Sequence, residues 1–282
     1  MATAATRSGS APLRKLAGEL AIIATTLIAL FVLVYPTAWV FLASFRTPET
    51  MFAAGRHVYT LDNYRVLLSS EFSRSIFNSL FICSASVIVS TAVAVVAAYV
   101  FSRMRFRGKT VLFGSVMMGQ TFPWIILVTP LFILFARLGL LNSYAGLIFV
   151  YVAVSIPFSI YLLVGYLESV PRTLDEAAII DGCTRLQVIT RIVFPIMIPG
   201  IVATATYAFL LCWSEYLFAL AFLTDTERKT MPLLLSSYFG ENVVEWGNVM
   251  AGSAVTTLPT LLLFLPLQTR MTSGLAAGSV KQ

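Results

Sequence analysis

The residues whose types and spacing could serve a specific function lie in one polar segment, 168–195, of a chain that is otherwise mostly apolar. Thr173-Leu-Asp-Glu176 and Thr184-Arg-Leu-Gln187 both fit the capping box, in which two side chains satisfy backbone N–H groups at a helix start. Gly182 lies between them, where a helix commonly ends in the left-handed conformation that glycine adopts easily. The spacing therefore predicts two short helices at a sharp angle, with the second ending near Phe194, just before Pro195.

The first predicted helix has a shallow face. Leu174, Ala177 and Ala178 stand at positions i, i+3 and i+4 and so share one side of a helix. Such a face favours a close-fitting partner, although a capped connector that only stays soluble would fit the same residues. A DNA-reading helix-turn-helix is the third interpretation. It is excluded because the segment has more acidic than basic residues and phosphate binding needs net positive charge.

Catalytic chemistry is not indicated elsewhere in the chain. Gly108-Lys109-Thr110 looks like the end of a Walker A loop, but Arg103 stands where the first glycine of G-x4-G-K-[ST] should be. The only histidine, His57, lies in a mixed-charge loop, and no metal-ligand spacing or nucleophile triad occurs. We therefore expect a protein that is not an enzyme, has no ATPase site and binds no metal or cofactor of its own.

Membrane spans must position the polar segment. The chain of 282 residues is 58% hydrophobic and only 11% charged, whereas a soluble domain has about 25% charged residues. A helical span needs about 20 apolar residues. We predict an all-α membrane protein with six spans within residues 19–269, a polar tail at 1–18 that is disordered, and a second tail at 270–282. The six apolar runs are 20–44, 76–101, 111–136, 144–167, 196–222 and 248–267.

The positive charges predict the orientation, because Lys and Arg concentrate in cytosolic loops. With the N-terminus inside, 12 of the 19 basic residues lie in inside segments, including the cluster between Arg103 and Lys109. Both termini and the polar segment are then expected in the cytosol. This distribution also argues against nucleic acid as the reason for the net charge of +6.

One acidic residue lies within an apolar run. Glu215 is in the fifth run, beside Trp213, Ser214 and Tyr216. A carboxylate at the centre of a span costs about 2.5–3.5 kcal/mol on insertion scales, so it should face a partner or a wet cavity. Two interpretations remain open for this group. It lines a pathway or acts as a conformational latch, or it makes a structural hydrogen bond to another span or to a partner subunit.

The polar segment resembles a known motif. Glu176-Ala177-Ala178, then Gly182, then Ile192-Val193-Phe194-Pro195 is similar to the EAA loop of ABC importer permeases, E-A-A-x3-G-x9-I-x-L-P, with Phe194 replacing the leucine. In that family the loop is a coupling helix that docks in a cleft of a cytosolic ATPase. The resemblance implies a coupling role for Glu176, Ala177, Ala178, Asp181 and Gly182.

Three further stretches resemble carbohydrate-type permeases of this family, and the tail is typical of the six-span second permease of maltose-type systems. There the tail reaches the ATPase dimer interface, which implies that Gly274, Gly278 and Lys281 contact the ATPase. Ser214 replaces the usual asparagine of the second stretch, and Gln282 the usual final glycine. The stretches are Leu138–Leu147, Trp213–Leu220 and Gly274–Lys281.

The resemblance implies a sugar importer in the bacterial plasma membrane, surrounded by lipid. Its other parts would be a second homologous permease, two ATP-binding subunits that use ATP and Mg²⁺, and an extracytoplasmic solute-binding protein. Two alternatives remain: a permease for a non-sugar solute, and a secondary transporter driven by an ion gradient. The latter predicts inverted repeats and several buried ionisable residues, of which only Glu215 is clear.

Overall fold

The regular structure is helical throughout the described part of the chain. A computed structural model describes residues 10–240 and 244–278, where two isolated β-bridges, Arg46–Tyr59 and Phe239–Val244, are the only β pairings. The all-α prediction is therefore confirmed over these residues. In chain order the α-helices are α1 (Ser10–Ala43), α2 (Ser70–Arg103), α3 (Lys109–Met118), α4 (Trp124–Arg137), α5 (Tyr144–Glu168), α6 (Thr173–Ile180), α7 (Arg185–Gln187), α8 (Phe194–Trp213), α9 (Leu217–Phe222), α10 (Met231–Ser237) and α11 (Trp246–Gly278).

Four continuous helices of the described residues are long and apolar enough to cross a membrane. They correspond to the first, second, fourth and fifth predicted runs. The sixth run, 248–267, lies within α11. The total of six spans stays a prediction. The four helices are Gly18–Ala43, Ser70–Arg103, Tyr144–Glu168 and Arg185–Trp213.

The third predicted span is broken. Its 26-residue run forms α3, of 10 residues, and α4, of 14 residues, each shorter than the about 20 residues that a span requires. Residues 119–123 separate them and end in Pro123, which has no N–H to continue a helix and has extended ψ. The Gln120 side chain donates to the carbonyl of Val154 at 3.0 Å, which fixes the break against α5.

The N-terminal prediction was wrong in part. The polar tail was expected to be disordered up to residue 18, but α1 begins at Ser10. Pro12 is tolerated because it lies in the first turn of the helix, and the residues 13–17 that follow it are all strong helix formers, which extends the helix of the first span backwards. Residues 1–9 lie outside the described residues.

The bundle is centred on α2, which packs most extensively against α5, while α8 packs on both. Two large apolar clusters fill its halves, one around Phe72, Tyr151 and Phe218 and the other around Ala98 and Leu167. By contrast, none of the most apolar 18 residues of α1 is buried. Only the end of α1 joins the interior, where Trp39, Val40 and Ala43 pack in a small cluster with Met250 of α11.

Candidate functional site

The polar segment folds around Gly182. This residue has φ of +86°, the left-handed conformation that the sequence predicted. Its N–H donates to the Ile179 carbonyl, and the N–H of Cys183 donates to the Ala178 carbonyl, both at 3.0 Å. These two bonds form the Schellman motif that terminates a helix. The turn therefore stops α6 after Ile180 and redirects the chain.

The two predicted capping boxes have different outcomes. At the second, the Gln187 side chain accepts from Thr184 N–H at 2.8 Å and the Thr184 hydroxyl accepts from Gln187 N–H at 3.4 Å, so this box is confirmed. The first is wrong: Arg172 is the N-cap of α6, has helical dihedrals and makes no side-chain cap. A capping residue needs extended backbone to aim its oxygen at the free N–H groups.

The second helix does not end near Phe194. It continues from α7 through a π-helical turn, Val188–Val193, into α8, so that the second helix of the polar segment and the following apolar run are one helix. Pro195 lies within this helix rather than starting a separate one. It has no N–H to donate to the carbonyl four residues earlier, and π-turns accommodate such irregularities inside helices.

The exposed side of α6 differs from the predicted shallow face. Ala178 is buried in the apolar cluster around Ala98 and Leu167, whereas Leu174 and Ala177 remain exposed. Beyond them lie Ile180, 85% exposed, and Leu186, 69% exposed. Ala178 therefore attaches the helix to the bundle, and the other four residues form an exposed apolar surface, which we call the docking face.

The remaining coupling candidates lie beside the docking face. Glu176 and Asp181 are both exposed to solvent. Their neighbour Asp175 is buried instead, and its carboxylate pairs with Arg103 at the end of α2 at 2.6 Å. Sequence reasoning missed Arg103 as part of this site. The only indication in the sequence was that Arg103 belongs to a basic loop. No local sequence pattern links Arg103 to Asp175, which is 72 positions away.

The Glu215 carboxyl group accepts hydrogen bonds from the backbone of α9 and from a side chain of α5. Its run breaks between α8 and α9, and the carboxyl group lies at that break, 6% exposed. It accepts from the Phe218 N–H at 2.8 Å and from the Ala219 N–H at 3.2 Å, the first donors of α9. The Tyr151 hydroxyl of α5 donates to it at 2.8 Å. The geometry therefore favours the second of the two interpretations, a structural hydrogen bond to another span.

The neighbours of Glu215 are divided between the core and a cavity. Trp213 is buried, and its indole N–H donates to the Thr256 carbonyl of α11 at 3.2 Å. Ser214 and Tyr216 instead line an open cavity of about 530 Å³ at the break. Sequence reasoning did not identify Trp124 and Tyr207, the other aromatic residues of its wall. The remaining lining residues are Leu210, Leu211, Glu215 and Leu217.

The predicted C-terminal contacts lie at the end of α11. Gly274 and Gly278 belong to the helical backbone of that element. Lys281 lies outside the described residues.

Comparison with known proteins supports the sequence motifs. Residues 90–272 match the family described as "Binding-protein-dependent transport system inner membrane component". The chain is 35% identical over 268 residues to the trehalose/maltose transport system permease protein MalG of Thermococcus litoralis, covering 93% of this chain and 96% of that protein. It is 32% identical over 265 residues to the diacetylchitobiose uptake system permease protein DasC of Streptomyces coelicolor, covering 91% and 95% respectively.

The fold is also similar to that of a solved structure. It is similar to a chain in the crystal structure of a bacterial ABC transporter involved in the import of the acidic polysaccharide alginate. The TM-score is 0.77 at 21% identity, over 95% of this chain and 99% of that chain. The family match and these relatives confirm the predicted resemblance to carbohydrate-uptake ABC importer permeases, and the chain belongs to the family of inner-membrane permease components of binding-protein-dependent transport systems.

Proposed function

We propose that this chain is the permease subunit of an ATP-driven ABC importer that moves a sugar into the cell. Relatives named for trehalose/maltose and for diacetylchitobiose support the sugar. The observation that carries the mechanism is α6, a short helix with an exposed apolar face that is joined through one turn to a membrane span. Such a helix can pass a movement of a soluble partner to the bundle.

The docking face and its acidic neighbours would receive the ATPase subunit. Exposed apolar patches on a protein mark contact sites, and Ala177 leaves the centre of this one shallow. Glu176 and Asp181 would bond to the ATPase at the edge, where their carboxylates are accessible. ATP and Mg²⁺ would be bound by that partner. The tail with Gly274, Gly278 and Lys281 is proposed as a second ATPase contact on the strength of the motif resemblance.

The exposed surface of α1 supports a second permease. A helix with none of its most apolar 18 residues buried can be covered by lipid and by a homologous subunit, which we propose forms a heterodimer with this chain. Two ATP-binding subunits and an extracytoplasmic solute-binding protein complete the assembly. We propose six spans and cytosolic termini, with the third span formed by α3 and α4 together and the fifth by the helix from Arg185 through α9.

The cavity at the break between α8 and α9 would lie on the sugar pathway. Its volume of about 530 Å³ falls in the range of small-molecule sites. Trp124, Tyr207 and Tyr216 offer aromatic faces against which the C–H faces of a sugar can stack, and the hydroxyl of Ser214 lies among them. Trp213 is not proposed as a pathway residue, because it is buried and bonded to α11.

The docking assignment is tested with Ala177→Arg in the complete importer, assembled with its second permease, ATPase and solute-binding protein. An arginine should block the shallow contact without disturbing the bundle, because the Ala177 side chain is exposed. We expect co-purification of the ATPase to fall at least tenfold and uptake of labelled trehalose, maltose or diacetylchitobiose to fall with it. Ala54→Arg, an equally exposed alanine in the long loop after α1, is the matched control. Wild-type co-purification by Ala177→Arg would contradict the docking assignment.

A further inference from the structure

Helix α2 is attached to a loop at each of its ends. From Asn78 to Arg103 it spans 25 residue steps, or about 38 Å at 1.5 Å per residue. This is more than the about 30 Å of a bilayer core. One attachment therefore lies near each face of the membrane. The loop at the far end from α6 is 223–231, which runs from the end of α9 to Met231, the first residue of α10.

The attachment next to α6 consists of two reciprocal arginine contacts. Arg103 of α2 pairs with Asp175 of α6 at 2.6 Å and donates to the Val170 carbonyl at 2.9 Å. In return, Arg172 of the coupling segment donates to the Ser102 carbonyl of α2 at 2.7 Å. Arg103 thus holds the Val170 carbonyl by a hydrogen bond and the Asp175 carboxylate by its charge at short distance, which ties both the residues before α6 and α6 itself to the end of α2.

The ion pair of this attachment is buried. The side chains of Arg103 and Asp175 are 6% and 10% exposed. An isolated buried charge is costly, so the pair resists separation far more than an exposed pair would. Ala178 of α6 also belongs to the apolar cluster that includes Ala98 and Phe101 of α2, while the backbone of α6 packs mainly against the π-turn Val188–Val193.

The attachment at the other end uses a buried amide. Asn78, 2% exposed, donates to the carbonyls of Glu227 and Lys229 at 2.9 and 3.0 Å. The Met231 N–H donates to the hydroxyl of Ser79, the next residue of α2, at 2.7 Å. Buried polar groups that are fully bonded rigidify their surroundings, so loop 223–231 is fixed to the first turns of α2.

We propose that Arg103 and Asp175 are positioning residues that make α2 and α6 one rigid strut between loop 223–231 and the coupling helix. A displacement of that outer loop would then move α6, and a displacement of α6 would move the loop. The inference rests on the proposed function, because it requires α6 to be the contact with the ATPase. It adds a route for coupling across the membrane that uses the side chains of α2.

The test measures coupling in the reconstituted importer as the amount of sugar transported per ATP hydrolysed, per assembled complex. Arg103→Lys keeps the positive charge in the buried site but loses the planar guanidinium that contacts both Asp175 and Val170. Asp175→Asn keeps the shape of the side chain but loses its charge. We expect both to retain ATPase co-purification and to lower the transport-to-hydrolysis ratio at least fivefold. Exchanging the two residues, Arg103→Asp with Asp175→Arg, again places opposite charges face to face but does not rebuild the bond to Val170, so its ratio should exceed that of Arg103→Asp alone at least threefold without reaching that of wild type.

Arg65→Gln is the matched control, because Arg65 pairs with Asp62 at 2.9 Å with both side chains largely exposed. Its ratio should equal that of wild type. A purely structural role of Arg103 and Asp175 would lower the amount of assembled complex and leave the ratio unchanged, and that result would overturn the proposal. Defective single variants without restoration in the exchange would overturn it as well, since the two residues would not act as a pair.

Ala177→Arg separates failure of this inference from failure of the proposed function. Loss of ATPase binding by Ala177→Arg together with a wild-type ratio in both Arg103→Lys and Asp175→Asn would overturn the strut alone. Retention of ATPase binding by Ala177→Arg would remove the docking assignment on which the strut depends.

Discussion

Glu215 illustrates how a single residue makes a broken membrane helix possible. A break exposes backbone N–H groups that lipid cannot satisfy, and each must find a partner inside the protein. The carboxyl group accepts from Phe218 and Ala219 of α9 and from the Tyr151 hydroxyl of α5. One side chain thus caps the second half of the broken span and attaches it to a neighbouring helix.

At this scale we predict different effects for Glu215→Gln and Glu215→Leu. The amide oxygen of Gln can still accept from a backbone N–H and its NH₂ group can donate to the Tyr151 oxygen, so transport per assembled complex should stay within about threefold of wild type. Leu leaves up to three buried donors without a partner, at about 1–3 kcal/mol each, and should lower both thermal stability and transport. Tyr151→Phe, which removes only one of these contacts, is the graded control.

The result is measured as uptake rate normalised to assembled importer. Equal, wild-type rates in the Gln and Leu variants would show that Glu215 satisfies no buried partner. A strong loss with Gln and normal assembly would instead assign the charge itself a role in the transport cycle.

The turn at Gly182 controls how two elements meet. It ends α6 with two backbone hydrogen bonds to the last turn of that helix. The chain then enters a helix that continues without interruption through α7, a π-turn and α8 to Trp213. Gly182 is the only residue with positive φ between α6 and this span, so the angle between the two helices depends on its conformation.

We predict that Gly182→Val uncouples the importer. A β-branched residue in the left-handed region costs about 1–2 kcal/mol and forces the turn to change its dihedrals. The docking face would then be aimed differently relative to α8. Substrate-stimulated ATP hydrolysis should fall at least tenfold, while insertion of the permease and its association with the second permease persist.

Gly114→Val is the control for this prediction. Gly114 lies within α3, has no atom within 4 Å of an added Cβ and has no positive φ. Any effect of replacing a glycine by valine that does not depend on the turn at Gly182 should appear in this control as well. Wild-type stimulation in Gly182→Val would mean that the angle of this turn is not part of coupling.

The whole molecule has two chemically different ends. The polar segment with the docking face lies at one end, and loop 223–231, fixed by Asn78, lies at the other. The excess of Lys and Arg predicts that the first end faces the cytosol. This orientation would place the ATPase and a solute-binding protein on opposite sides, as import requires.

Cys183 provides a test of that orientation. It follows Gly182 and is partly exposed, whereas Cys83 and Cys212 are buried within the bundle. A membrane-impermeant thiol reagent should therefore label Cys183 in inside-out vesicles and leave it unlabelled in spheroplasts. Ala54→Cys, in the loop after α1, should show the opposite pattern. Labelling of Cys183 in spheroplasts would mean that the topology is inverted.

Local and repetitive patterns made part of this architecture predictable. The length and composition of apolar runs predicted helices of membrane-spanning length, because a bilayer admits few other structures. Gly182 and the box Thr184–Gln187 were predictable for a related reason, since a helix end is determined by a few adjacent residues. The spacing that starts at Glu176 likewise indicated the family, because it is a pattern within one continuous segment of the chain.

Other features depended on residues far apart in the chain. Asp175 could cap its own helix or pair elsewhere, and packing of α6 on α2 directs it to Arg103. The same packing buries Ala178 and leaves Ala177 free. Glu215 gains the hydroxyl of Tyr151, 64 positions away. No periodicity or motif specifies such pairs, because a buried polar group takes its partner from whichever helix packing brings within hydrogen-bond distance.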